Sequence, residues 1–94
     1  MDIEKIREKI MAREPCDPTG KRVAGFLTAL EAGDVKALAE YNLYWVAEKC
    51  FTLSAKKAFQ KAFDLAWTNF KLQVIWAAEA RAFLVLAQKD ENWE

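Results

Sequence analysis

The chain has no histidine, a single serine, three glycines and two prolines among 94 residues. Without histidine, Ser-His-Asp and Cys-His nucleophile systems cannot be assembled, and neither can H-E-x-x-H or C₂H₂ zinc sites. The paired Glu-x-x-His units of di-iron bundles fall with them. Glycine and proline together make up about 5% of the chain against an average near 12%, too few to punctuate a sandwich or barrel of short strands. No phosphate-cradling G-x-G-x-x-G or G-x-x-x-x-G-K-[ST] occurs, and Gly20-Lys21 stands isolated. Net charge is missing as well: fourteen basic and fourteen acidic side chains cancel, so no whole-molecule field draws the protein to a polyanion. Cys16 and Cys50 lie far apart without C-x-x-C spacing, which points to two free thiols and to no metal or redox site. No cofactor is expected.

A long apolar run is the last absence. The most apolar window, Leu72 to Ala87, is interrupted by Gln73, Glu79 and Arg81 and is shorter than the roughly 20 residues a membrane span needs. The N-terminus, Met-Asp-Ile-Glu-Lys, carries no secretory apolar stretch. The expectation is a soluble cytoplasmic protein with no membrane contact.

What is present favours helix. Hydrophobic residues make up 53% of the chain, and alanine and leucine total 25 against 13 for valine, isoleucine and threonine. The expected fold is all-α, one small bundle over 1–94 with three to four helices. Ile3, Ile6 and Ile10 give a helix over 2–14 a narrow apolar seam, ended by Pro15. Asp17-Pro18 reads as an N-cap with proline at the first helical position, opening a helix over 18–32 that Gly33 stops. Asp34 caps a helix over 35–51 with the stripe Val35, Leu38, Ala39, Trp45, Val46 and Cys50. These two form a helical hairpin. Ala29 and Gly33 match the spacing of a helix-turn-helix, but Asp34 breaks its apolar position and the following helix is net acidic, a poor groove reader. Thr52 or Ser54 caps a long C-terminal helix over about 55–88, followed by an 89–94 tail.

The long helix carries the functional argument. Phe59, Ala62, Phe63, Ala66, Trp67 and Phe70 line one side, and Lys57, Lys61, Asp64, Thr68 and Lys71 the other. Continued, that polar stripe falls on Ile75, Ala78, Ala82 and Leu86, so from residue 72 the helix is apolar nearly all round and must be covered on several sides. Two coverings suit it: the N-terminal helix folded back with its isoleucines, or a partner or second copy seated on Ile75, Ala82 and Leu86. Lys56, Lys57 and Lys61 crowd the first two turns, where the helix dipole is already positive, as a partner-binding basic patch would. Trp93 in the tail either folds back or docks into a partner. The leading reading is a non-catalytic protein–protein interaction module, a small inhibitor, adaptor or assembly subunit of the kind viruses and mobile elements encode. It would bind a protein partner, or a second copy as a homodimer, through Lys56, Lys57, Lys61, Ile75, Ala82, Leu86 and Trp93. The alternative is a nucleic-acid-binding regulator using the basic end of the long helix. An enzyme working through Glu79, whose neighbours at i±4 are apolar, or through Cys50, comes third.

Overall fold

The computed structural model describes residues 1–13, 15–68 and 75–94, with side chains for all of these except 66–68, 75 and 76. Among the described residues six α-helices follow one another: α1 (Ile3–Ala12), α2 (Lys21–Ala32), α3 (Val35–Leu38), α4 (Leu43–Cys50), α5 (Leu53–Thr68) and α6 (Ile75–Ala87). A 3₁₀ turn at Asp90–Asn92 precedes the C-terminus. Among the described residues there is no strand, only an isolated antiparallel bridge between Phe51 and Trp93. The fold is all-α.

Local chemistry sets most of the helix ends. The Asp2 carboxylate accepts from the Lys5 N–H at 3.2 Å and caps α1. Pro18 does not open α2. It sits in a turn closed by the Gly20 N–H on the Asp17 carbonyl at 3.1 Å, with Gly20 at φ 72°, and the helix starts three residues later than the proline suggested. Asp17 still reaches that helix, its Oδ2 accepting from the Val23 N–H at 2.8 Å. At the other end Gly33 adopts φ 67°, and the N–H groups of Gly33 and Asp34 satisfy the carbonyls of Leu30 and Ala29, a Schellman closure. Asp34 Oδ1 then caps α3 through the Ala37 N–H at 3.1 Å.

Two expected helices divide. The 35–51 segment is α3 and α4, parted by a turn in which Glu40 and Tyr41 N–H groups bond back to Ala37 and Leu38. Asn42 Oδ1 accepts from the Trp45 N–H at 3.0 Å and restarts the helix. The long helix over 55–88 is not one rod. Phe59 and Phe83 have ring centroids 5.8 Å apart, whereas a continuous helix would hold them roughly 36 Å apart at 1.5 Å per residue. The Thr52 N–H meets the Asn92 carbonyl at 2.8 Å, so α5 and α6 run antiparallel as a hairpin.

That hairpin covers part of the surplus apolar face, Ala82 and Leu86, while Ala78 is exposed and the Ile75 side chain lies outside the described residues. α6 packs on α5, α3 and α4, while α1 packs on α2 and α4. Ile6 and Ile10, each 2% exposed, therefore cover other helices than the one expected. Folding α5 back closes a much shorter loop than drawing α1 across the molecule, and shorter loops cost less entropy to close.

Phe51, Phe59 and Phe83 form the aromatic centre, Phe51 and Phe83 stacked at 5.1 Å and Phe26 edge-on to Phe83 at 5.9 Å. Trp93 joins them. It is 6% exposed, lies edge-on to Phe51 at 5.0 Å, and donates its indole N–H to the Ala87 carbonyl at 2.8 Å. Lys9 Nζ donates to the Trp93 carbonyl, and the Glu94 N–H to the Cys50 carbonyl. The tail is thus pinned to the body, and of the two readings of Trp93, folding back or docking into a partner, the structure has it folded back as a core residue.

Candidate functional site

The inner face of α5 is spent on the core: Ala55 and Phe59 are each 2% exposed. Four-residue steps keep side chains on one side of a helix, and the steps Leu53, Lys57, Lys61, Leu65 are all exposed. Leu53 is 66% and Leu65 52% exposed. The result is a ridge with two lysines in the middle and a leucine at each end. Lys56, one position round the helix, is half-buried. Among the described residues none of the three lysines is in an ion pair.

Electrostatics at this end of the molecule are gentler than the sequence suggested. The Thr52 side chain accepts from the Ala55 N–H at 3.3 Å and caps the helix. Its own N–H holds Asn92, which brings the exposed carboxylates of Asp90, Glu91 and Glu94 to the end where α5 begins. Acidic groups near a helix start act against the positive end of its dipole.

The flank of α5 toward α4 is closed by Tyr44, whose ring lies edge-on to Phe59 at 5.5 Å and to Phe63 at 5.0 Å. Burial pushes the Tyr44 hydroxyl above its ordinary pKa, the Glu79 charge adds to this, and a hydrogen bond with the Gln60 side chain opposes it. Gln60 also donates to Asp64 at 3.0 Å. Burial likewise pushes the Glu79 carboxyl up, so it keeps its proton to higher pH than an ordinary glutamate. Cys50 is fully buried and Cys16 exposed, both free. Burial raises the Cys50 thiol, with Arg13, Lys9 and Lys56 pulling the other way.

The expected site residues do not form one surface. Ala82 and Leu86 are half-buried and packed against the core, and the Leu86 carbonyl accepts from Asn92 Nδ2 at 2.9 Å. The Ile75 side chain lies outside the described residues. On α6 the outward stripe is instead Ala78, Arg81 and Val85, the last 59% exposed. Leu53 and Leu65 escaped the sequence reading, because their spacing from Lys57 and Lys61 does not say that they stay exposed, which the assembled fold decides.

On the far side of α4 a second feature opens. A cleft of about 210 Å³ lies between α1, α2, α4 and the 15–17 loop, floored by Ile10, Val23, Phe26 and Val46. Tyr41 and Trp45 wall it, and Cys16, Asp17, Arg22 and Asn42 stand at its mouth. Tyr41 is edge-on to Phe26 at 5.7 Å, and the Arg22 guanidinium carbon sits 5.3 Å from the Tyr41 ring centroid. A Cβ at Gly25 would lie 2.5 Å from the Tyr41 hydroxyl oxygen, so this mid-helix glycine makes the room in which Tyr41 stands.

Among the described residues no group of three His, Cys, Asp or Glu could hold a metal ion, and no helix is long and apolar enough to cross a membrane. Comparison with known proteins found no matching family model, no matching curated protein and no matching solved structure.

Proposed function

We propose that the protein is a non-catalytic protein-binding module that docks the outer ridge of α5 onto an acidic partner surface bearing two apolar hollows. Inhibitor, adaptor and assembly subunit are the roles such a module fills. The observation that carries this reading is the ridge itself, Leu53 and Leu65 exposed on either side of Lys57 and Lys61. Burying what is still exposed of each leucine contributes about 1–2 kcal/mol. The lysines, unpaired among the described residues, set the sign of the partner and speed its approach. A second copy of the same ridge would meet lysine with lysine, which favours a different protein over a homodimer. A phosphate backbone has no use for the two leucines, and this places the nucleic-acid reading second. Support for a non-catalytic role comes from Cys50, whose buried, raised thiol is the reverse of an activated nucleophile.

The test is affinity capture with three baits in host lysate, with and without nuclease: the native protein, L53S/L65S and K57E/K61E. These positions are exposed, so both variants should melt close to the native protein. The expected result is one acidic protein retained by the native bait and reduced about tenfold or more on each variant, as the loss of about 1.4 kcal/mol requires. Equal retention on all three baits, or a bound species that nuclease removes, would refute the reading.

A further inference from the structure

We propose that the cleft between α1, α2 and α4 binds a free α-amino acid with an apolar side chain. The side chain enters the cleft, the ammonium group meets Asp17 and the carboxylate meets Arg22.

Size sets the first limit. At about 210 Å³ the cleft exceeds the roughly 150 Å³ cavity that holds benzene, yet falls short of the 300–1,000 Å³ typical of drug-sized ligands. It holds one ring or one branched chain with a few further atoms. The floor of Ile10, Val23, Phe26 and Val46 offers that group no hydrogen bond from its side chains, so the inserted part is apolar.

The mouth decides the head group. Asp17 and Arg22 both line the cleft but form no ion pair with each other. Each is held in place by something else. Asp17 Oδ2 accepts from the Val23 N–H at 2.8 Å, which fixes the carboxylate at the lining of the cleft while its other oxygen keeps the capacity to accept. The Arg22 guanidinium rests over the Tyr41 ring, an arrangement that orients the plane without consuming its N–H groups. Asn42 spends its Oδ1 on the Trp45 N–H, and its Nδ2 stays free to donate to a carboxylate beside Arg22. A simple carboxylic acid would set its charge against Asp17, and a simple amine would set its charge against Arg22. A zwitterion satisfies both. Gly25 supports the same conclusion from behind the wall: the helix forgoes a better helix former so that Tyr41, which carries Arg22, can stand there. This site lies across α4 from the α5 ridge and does not depend on it.

The test is an amide NMR titration of the full chain with L-phenylalanine into the millimolar range. The controls are 3-phenylpropionate, which lacks the ammonium group, and phenethylamine, which lacks the carboxylate. Saturable shifts are expected on residues 22–26 and 41–46, with L-phenylalanine bound about tenfold more tightly than either control, the factor one charge-assisted hydrogen bond carries. Arg22→Gln should erase the advantage over phenethylamine, and Asp17→Asn, which keeps the acceptor for Val23, the advantage over 3-phenylpropionate. Both variants should melt near the native protein; if Asp17→Asn does not, Arg22→Gln at its exposed position decides alone. No saturable shift at these residues would overturn the proposal. So would equal binding of the controls, or an L-phenylalanine affinity unchanged by Arg22→Gln.

Discussion

Gly25 stands inside α2 with the Tyr41 side chain against it. A glycine inside a helix costs about 1 kcal/mol relative to alanine, and α2 bears that cost at its fifth residue. The Tyr41 hydroxyl occupies the space an alanine methyl would need, with Cζ of the same ring 3.6 Å away at ordinary contact distance. Gly25→Ala should therefore fail to stabilise the native protein and is expected to destabilise it. In a Tyr41→Phe background the obstructing oxygen is gone, and the same substitution should gain about 1 kcal/mol. Urea unfolding of the four proteins measures this coupling. A full gain from Gly25→Ala in the native background would mean that Tyr41 does not need the space.

At the scale of the elements, what was legible in the sequence was what neighbouring residues settle between themselves. The stop at Gly33 and the caps at Asp34 and Thr52 rest on contacts within about six residues, and all are present, as is the isoleucine periodicity of α1. The breaks that went unseen are those the apolar pattern runs across. Leu38 and Val46 are both buried, so the 35–51 stripe reads as one helix even though Asn42 stands in the middle as a good N-cap. Likewise no glycine or proline lies between Thr68 and Ile75. The signal there was the polar stripe of Lys57, Lys61 and Asp64 losing its phase, which marks two helices with different buried faces rather than one helix covered all round. Asn42→Ala should cost about 1 kcal/mol by leaving the first turn of α4 uncapped. In a domain of this size that lowers the melting temperature by about 4–8 °C, while Asn42→Asp should restore most of it. Differential scanning calorimetry checks the pair, and an unchanged melting temperature in Asn42→Ala would show that the cap contributes nothing.

At the scale of the whole molecule, part of the apolar surplus that the sequence offered to a partner, Ala82 and Leu86, is packed against the protein's own core. α5 folds back along α6, and Trp93 closes the end of the hairpin against Phe51 and Ala87. Among the described residues the ridge on the outer side of α5 stays exposed, as does Val85 on α6, and the ridge is the surface proposed for a partner. Its lysines were legible because charge at a helix start is a local oddity, whereas its leucines were not, because exposure is a property of the assembled fold. The cleft was illegible for the same reason, since α1, α2, α4 and a loop contribute to it and no one of them reveals it alone. Ridge, tail and aromatic centre all depend on α5 and α6 being an antiparallel pair. The direct measurement is a spin-label distance between Ser54→Cys and Gln88→Cys, two exposed positions, with Cys16 changed to serine and buried Cys50 retained. Neighbouring helices about 8–10 Å apart predict a separation on the order of 20 Å or less, label arms included. A distance of about 50 Å, which a single continuous helix requires at 1.5 Å per residue, would contradict the account.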